Sequence, residues 1–437
     1  MSATPAHLQS LDSAIDNRGD PAVTPKPHFQ KQHFLDALAK RAVLQRLAQL
    51  RDGQLTLIDG DAVHCFGKPS DAFPVSVTAR IHNQRFYSDM AFGGSIGAGE
   101  AYMQGYWTTE QLTDLVRVFV RNMDVLDGME TGMARLTAPL QKVLHWFHRN
   151  TRGGSRKNIA AHYDLGNDFF KLFLDDSMMY SSAMFTDSAM SLGDAQRARL
   201  QTICRKLDLQ ASDHLLEIGT GWGGFAIYAA RKYGCRITTA TISKEQFDLA
   251  CERIKAAGLQ DRITVLLSDY RDLQGKYDKL VSIEMIEAVG YQYYDRFFAK
   301  CSSLLKPEGT MVLQAITIVD QKYEQAKHSV DFIQRYIFPG SCIPSVTAMI
   351  ASITKSSDLR LFHLEDIGPH YATTLRIWRE NLFANLDKVK ALGYSDAFIR
   401  MWEYYFCYCE GGFTERAIGD VHMVLAKPRS RQRLNLR

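Results

Sequence analysis

Residues Leu215-Leu-Glu-Ile-Gly-Thr-Gly-Trp-Gly-Gly-Phe225 decide the fold. A buried-strand pattern runs into Gly219, Gly221, Gly223 and Gly224, and a helical pattern follows from Phe225. Glycines placed this way let backbone approach a ligand at the carboxyl edge of a sheet. Gly219, Gly221 and Gly224 also satisfy the GxGxxG spacing of dinucleotide sites. Two features point elsewhere. A nicotinamide site wants an acid about 20 residues on, at the end of the second strand, and here that strand ends Thr238-Thr-Ala-Thr-Ile-Ser243. Instead Glu217 sits inside the first strand, two residues before the loop. An acid there suits a cationic ligand such as the sulfonium and amino group of S-adenosylmethionine. A tight turn with no ligand is the plain alternative, and four glycines in six residues argue against it.

Outward from this loop, strands are suggested at 214–218, 236–241, 263–267, 279–283, 311–316 and 421–427. Helices fill the gaps at 225–233, 244–257 and 294–305. Such alternation implies an α/β, doubly wound and mostly parallel sheet covered on both faces. The pattern before residue 158 is different. Residues 1–33 are polar and carry Pro5, Pro21, Pro25 and Pro27, the composition of a disordered arm. Residues 34–128 read as a small mixed α+β domain. A helix begins near His33, two strands flank Asp59-Gly60, and more strand signal lies at 75–77 and 85–87. Gly93, Gly94 and Gly97 mark a turn before a helix around Ala101, and a last helix covers 110–120. Residues 129–157 form a linker ending in the basic, glycine-containing stretch 149–157. The catalytic domain is expected over 158–427, and a basic tail over 428–437.

The 437 residues are 46% hydrophobic and 23% charged, ordinary for a globular chain of more than one domain. A net charge of +4 is too mild to argue for nucleic acid, but it leaves anionic membranes open as partners. Eight cysteines without a CxxC pair speak against a metal site and suit a reducing cytosol. No apolar run approaches the length of a membrane span.

Several motifs resemble the cyclopropane fatty acid synthases. They are 158–170 (NIAAHYDLGNDFF), Met178-Met-Tyr-Ser-Ser-Ala-Met-Phe185, the glycine loop, Thr241-Ile-Ser-Lys-Glu-Gln246, Ser268-Asp-Tyr-Arg-Asp-Leu273 and Ser282-Ile-Glu-Met-Ile-Glu-Ala-Val-Gly290. Phe332-Ile-Gln-Arg-Tyr-Ile-Phe-Pro-Gly340, Tyr371-Ala-Thr-Thr-Leu375 and Cys409-Glu-Gly-Gly-Phe413 follow in the family's order. The resemblance spans 158–426 and, more weakly, the small domain before it, to which it gives a role in lipid recognition. It implies a class I methyltransferase fold with a seven-stranded sheet, and S-adenosylmethionine as methyl donor. It also implies a cytoplasmic enzyme, peripheral on the inner face of the membrane, that makes a cyclopropane ring at the double bond of an unsaturated phospholipid. A homodimer is carried as a candidate assembly.

The same resemblance assigns residues. Tyr180 and Ser181 would cover the methionine end of the donor, Gly219, Gly221 and Gly223 would line the loop, Thr241, Ile242 and Gln246 would hold ribose and adenine, and Tyr270 and Arg271 would flank the adenine. An alkene attacking a sulfonium methyl leaves a cation on the acyl chain. The site must stabilise that cation and remove one proton. Glu287 is the carboxylate candidate and Tyr371 the active-site tyrosine. Cys409 matches a cysteine assigned as catalytic, although this chemistry needs no thiol nucleophile. Glu284, three residues before Glu287, would share its face if that segment is helical. The family holds a bicarbonate ion as base, gripped by cysteine, glutamate, histidine and tyrosine. Here the cysteine position reads Ser182 and the histidine position Gln314, while Glu287, Ile316 and Tyr371 match. Serine and glutamine can both donate to an anion, so two outcomes stand open. Bicarbonate is held, or the base is displaced and the cation loses a different proton, leaving a methyl or methylene branch. Two other classes compete. A noncatalytic lipid-binding protein on a decayed scaffold would not keep the glycine loop and Glu287. A methyltransferase for a soluble small molecule leaves the N-terminal domain unexplained.

Overall fold

The computed structural model describes residues 28–123 and 165–432, with side chains from residue 36 onward. Residues 1–27 of the expected arm, the linker 129–157, residues 158–164 of the first family motif and residues 433–437 of the tail lie outside the described residues. The chain divides into two compact units.

The first unit draws on described residues up to 123 together with Val330–Ile337 and Asp387–Glu415. It opens on helix α1 (His28–Leu47), which starts inside the stretch expected to be disordered. Strands β1 (Gly53–Asp59) and β2 (Ala62–Lys68) form the expected hairpin around Asp59-Gly60. Strand β3 (Ser76–Ile81) pairs parallel with β1, and the short β4 (Trp107–Thr108) closes the order β2-β1-β3-β4. Residues 85–87, expected as strand, begin helix α2 (Arg85–Met103). Asn83 Oδ1 accepts the Arg85 amide at 3.0 Å, and Phe86 and Tyr87 turn into the core. The expected turn at Gly93-Gly94 is a kink within that helix, with Gly94 at φ 57° and ψ −136°. Helix α3 (Leu112–Arg121) follows. The sequence-based division left helix Asp396–Thr414 in the catalytic domain, yet it groups with this unit. Polar contacts tie it there: Tyr102 donates to Glu403 at 2.7 Å, Thr113 to Glu410 at 2.9 Å, and Arg117 and Arg121 both pair with Glu415 just past its end.

The second unit carries the doubly wound sheet. Its strands are β5 (His214–Ile218), β6 (Arg236–Thr241), β7 (Ile263–Leu267), β8 (Tyr277–Ile283), β9 (Leu305–Ile318), β10 (Arg360–Asp366) and β11 (Ile418–Ala426). The order is β10-β11-β9-β8-β5-β6-β7, and β11 alone runs against its neighbours. Apolar residues alternate between two cores, as a sheet buried on both faces requires. Leu215, Ile237, Val281, Val312 and Val424 pack with helices α4 (Leu192–Leu207) and α5 (Gly224–Tyr233). Helix α6 (Lys244–Ala256) buries Ile254 in the same core. Leu216, Leu280, Met311, Leu313 and Met423 pack with α7 (Tyr294–Leu304) and α8 (Val346–Ser356). The connection from β10 to β11 starts with α9 (Gly368–Ala384). Because β6 and β8 flank β5, the crevice at the carboxyl end of β5 is the switch point where such sheets bind ligands.

The β5–α5 turn fits closely only with glycine at one position. A Cβ on Gly224 would lie 2.5 Å from Ser177 O and 2.7 Å from Met179 Sδ. Gly224→Ala should therefore lower stability by about 1–3 kcal/mol through overpacking, read as a shift in the denaturant midpoint without a change in slope.

Candidate active site

The loop after β5 is held open from behind. The amides of Gly219 and Thr220 both donate to Ala240 O on β6, at 3.0 and 3.1 Å, and Gly223 N donates to Thr220 O at 2.9 Å. Gly219, Gly221 and Gly223 have φ of 102°, 50° and 81°, the left-handed region glycine favours. A Cβ on Gly221 would meet nothing within 4 Å, so that stretch of backbone faces free space.

Glu217 lies directly opposite Thr239 in the parallel ladder, and Thr239 donates to its Oε2 at 2.6 Å. Burial pushes the Glu217 carboxyl up to about 8 against the pull of Thr239 and Arg199. Along the same edge Thr241 Oγ1 meets Gln246 Oε1 at 2.8 Å, and Ser243 caps α6 by accepting the Gln246 amide. Ile242 lies between them, half-buried. After β7, Arg271 forms a two-pronged pair with Asp269, at 2.8 and 2.5 Å, and sits over the Tyr270 ring. Asp269 was not singled out from the sequence; an acid closing a parallel strand beside a suspected adenine site is the signal that marks it.

Tyr180, Ser181 and Ser182 are brought to this edge by hydrogen bonds from three directions. Gln196 donates to Ser181 O at 2.9 Å, the Ser182 amide donates to Glu284 at 2.9 Å, and the Ala183 amide donates to Thr374 on α9 at 3.1 Å. The Ser181 hydroxyl is buried without a hydrogen-bond partner among the described residues. Tyr180 joins an aromatic group in which its ring is 5.2 Å from Trp378 and 5.3 Å from Phe170, and Tyr371 stands edge-on to Trp378 at 6.0 Å. The free space at Gly221, the unpartnered Ser181 hydroxyl and the buried acid Glu217 together fit a bound S-adenosylmethionine.

The carboxylates follow β8. Glu284 takes Ser182 N and Gln314 Nε2 on Oε1, at 2.9 and 2.7 Å, and Tyr371 OH on Oε2 at 2.7 Å. Its backbone is left-handed, φ 46°, an uncommon conformation for glutamate and one that marks a constrained position. The segment is therefore not the regular helix that would put Glu284 and Glu287 on one face. Glu287 accepts the Ile316 amide on Oε1 at 2.6 Å, while its Oε2 is buried with no partner among the described residues. Burial, then the charge of Glu284, raises the Glu287 carboxyl to about 8.

Gln314 was expected to offer its amide to an anion. Its Nε2 instead serves Glu284 and, at 2.9 Å, Asp420 on β11, and its Oε1 accepts from Arg199 at 3.2 Å. The Ser182 hydroxyl, likewise expected to be available, donates to Ala183 O at 3.0 Å. Ile316 N–H is taken by Glu287 and Tyr371 OH by Glu284. The donors assigned to bicarbonate are thus engaged by groups of the protein, and the set does not fit a separate anion. Cys409 belongs to the first unit, on helix Asp396–Thr414, and burial followed by the charge of Asp331 raises its thiol. Arg199, Asp420 and His422 were not read from the sequence. Their signal is charge at core positions: Arg199 lies on the face of α4 shared by Ala195, Ile203 and Lys206, and Asp420 and His422 lie in a strand buried almost throughout.

The sequence profile of the family described as mycolic acid cyclopropane synthetase matches residues 150–423. A tuberculostearic acid methyltransferase of Mycobacterium tuberculosis is 38% identical over 413 residues, covering 93% of this chain and 94% of its own. The cyclopropane-fatty-acyl-phospholipid synthase of Escherichia coli is 38% identical over 345 residues, covering 78% of this chain and 85% of its own. Among solved structures, the cyclopropane synthase MmaA2 of Mycobacterium tuberculosis superposes with a TM-score of 0.57 at 30% identity, over 62% of this chain and 98% of its own. The mycolic acid cyclopropane synthase CmaA1 complexed with SAH and CTAB gives the same values.

The raised carboxyl of Glu217 has a measurable consequence. Below about pH 8 it holds its proton in the ligand-free protein, and a cationic ligand favours the carboxylate. Binding of S-adenosylmethionine at pH 7 should therefore release a proton, seen as a binding enthalpy that varies with the ionisation enthalpy of the buffer. Glu217→Gln should abolish that release; a release unchanged in the variant would place the titrating group elsewhere.

Proposed function

Because the chain belongs to the mycolic acid cyclopropane synthetase family of S-adenosylmethionine-dependent methyltransferases acting on lipids, we propose that it methylates a carbon of the double bond in an unsaturated phospholipid acyl chain, leaving a methyl or methylene branch. The observation that carries the choice of product is the engagement of Ser182, Gln314, Ile316 and Tyr371 by protein groups, which leaves no cradle for a separate anionic base. The tuberculostearic acid methyltransferase, aligned along almost its whole length, supports the same reading.

In this reading Tyr180, Ser181, Glu217, the glycine loop, Thr241, Ile242, Gln246, Tyr270 and Arg271 hold the donor, which supplies an electrophilic methyl group. Tyr180, Trp378 and Tyr371 present aromatic surface to the chain cation, and the Glu287 carboxylate stabilises the positive charge that develops beside it. The product depends on timing. A base beside the new methyl closes a ring at once. A later or differently placed proton loss lets a hydride move between the two former alkene carbons first, and a branch results. Ring closure is the second reading, favoured by the phospholipid synthase relative and by Glu287, Ile316 and Tyr371 matching the family pattern.

No helix among the described residues is long and apolar enough to cross a membrane, and the reading requires peripheral attachment at its inner face. The start of the basic tail is fixed to the sheet: Lys427 pairs with Asp358, and Gln432 bonds to Lys206 O at 2.8 Å and to Thr310 Oγ1 at 2.6 Å. Cutting the chain after Gln432 spares these anchors and removes Arg433 and Arg437. At roughly 1 kcal/mol per well-placed charge, the truncation should weaken binding to anionic vesicles, read by sedimentation, on the order of thirtyfold at low salt. Unchanged binding would remove the tail from the membrane contact.

The deciding experiment is NMR of lipid extracted after incubating the protein with S-adenosylmethionine and dioleoylphosphatidylglycerol vesicles. Exocyclic methylene or branch methyl signals are expected; ring methylene protons would establish the second reading instead. Glu287→Gln should lower turnover on the order of a hundred- to thousandfold while donor binding stays unchanged. The wild-type rate should rise with pH through about 8, where the raised Glu287 carboxyl ionises, and the variant should lose that limb.

A further inference from the structure

Resting on the alkene-methylation reading, we propose that the carboxylate of Glu284 is the base of the reaction, built into the chain at the place where the resemblance implies a bicarbonate ion. Three of the positions assigned to gripping that ion, 182, 314 and 371, all direct donors at this one side chain. They do so through Ser182 N at 2.9 Å, Gln314 Nε2 at 2.7 Å and Tyr371 OH at 2.7 Å. The fourth donor, Ile316 N, holds Glu287 at 2.6 Å. The left-handed backbone at Glu284, fixed by its own amide donating to Gln314 O at 2.8 Å, turns the carboxylate into this donor set. Glu284 is half-buried. Oε1 accepts hydrogen bonds from Ser182 N and Gln314 Nε2, and Oε2 accepts one from Tyr371.

Titratable and charged groups surround Glu284. Four groups face it: Arg199 from α4, Asp420 from β11, Tyr371 from α9, and Glu287 from the turn after β8. Asp420 is pushed well up, first by burial and then by the charge of Glu284, and it hydrogen-bonds to Glu284. Arg199 is fully buried and pairs directly with no carboxylate among the described residues; its charge balances Glu284 across Gln314. Burial also raises Glu284 itself, which makes it a better proton acceptor than an exposed glutamate.

The atoms balance without a further reagent. The alkene π pair forms the new C–C bond as the donor's S–CH3 pair returns to sulfur. A C–H pair beside the cationic carbon then fills it, and the proton passes to Glu284 Oε2. Release of product opens the site and the proton leaves to solvent.

The test uses the full chain, S-adenosylmethionine and dioleoylphosphatidylglycerol vesicles in buffer purged of carbon dioxide. Wild-type turnover should be the same with and without added bicarbonate. Glu284→Gln, which keeps the shape, should lose on the order of a hundredfold or more, the usual contribution of a general base, with donor affinity by calorimetry unchanged. Glu284→Gly frees the three donors. In the absence of methyl donor and lipid it should bind bicarbonate by calorimetry where wild type does not, and added bicarbonate should restore its turnover with a displaced pH profile. A merely structural glutamate would give neither the binding nor the shifted profile. A wild-type rate that falls on removing carbon dioxide and returns with bicarbonate would overturn the proposal, as would near-normal turnover of Glu284→Gln. If wild type yields no modified lipid at all, the lipid reading fails, and the bicarbonate-binding contrast between wild type and Glu284→Gly still decides the place of the anion.

Discussion

The side-chain amide of Gln314 has two N–H donors and two acceptor lone pairs, and all four are used. Nε2 donates to Glu284 and Asp420, and Oε1 accepts from Arg199 and from His422 at 3.2 Å. The orientation follows from the outermost partner. Lys206 can only donate, so its contact with His422 Nδ1 at 2.9 Å makes that nitrogen an acceptor, leaving Nε2–H to donate to Gln314. His422 is held neutral by burial and by the positive charges of Lys206 and Arg199. One amide thus joins β8, β9, β11 and α4. A buried network of this kind is costly if any member is left unsatisfied.

The donor side of the crevice obeys a different constraint. Backbone there must come close to a ligand without filling its space, and positive φ at Gly219, Gly221 and Gly223 provides that. The acid that answers the ligand's charge is placed by strand register, Glu217 against Thr239, rather than by the loop. The two halves of the site meet at residues 180–183, whose backbone is tied to α4, to α9 and to Glu284 at once.

Much of this was legible in the sequence because it depends on local pattern. The strands from β5 to β9 and β11 were read from apolar runs, and the glycine loop from its spacing. What escaped was set by partners distant in sequence. Strand β10 pairs only with β11 at the sheet edge, and its exposed Leu361, Phe362 and Leu364 leave little alternation to read. Arg85-Phe-Tyr87 has strand-like composition, yet the Asn83 side chain and burial of both rings start a helix. Ser182 and Gln314 were singled out as departures from the pattern the resemblance implies. Their meaning depended on Glu284, which looked like an ordinary acid near a helix start until three donors were seen to converge on it.

That convergence bears on how such a site changes over generations. Replacing Gln314 by histidine removes one of the two donors Asp420 and Glu284 share, and replacing Glu284 by a small residue leaves Arg199 without its balancing charge. Each single step passes through a protein with an uncompensated buried group, while the combined set of changes does not. Descendants of this chain are therefore expected to keep Glu284, Gln314, Asp420 and Arg199 together or to lose them together, so the four behave as one inherited character.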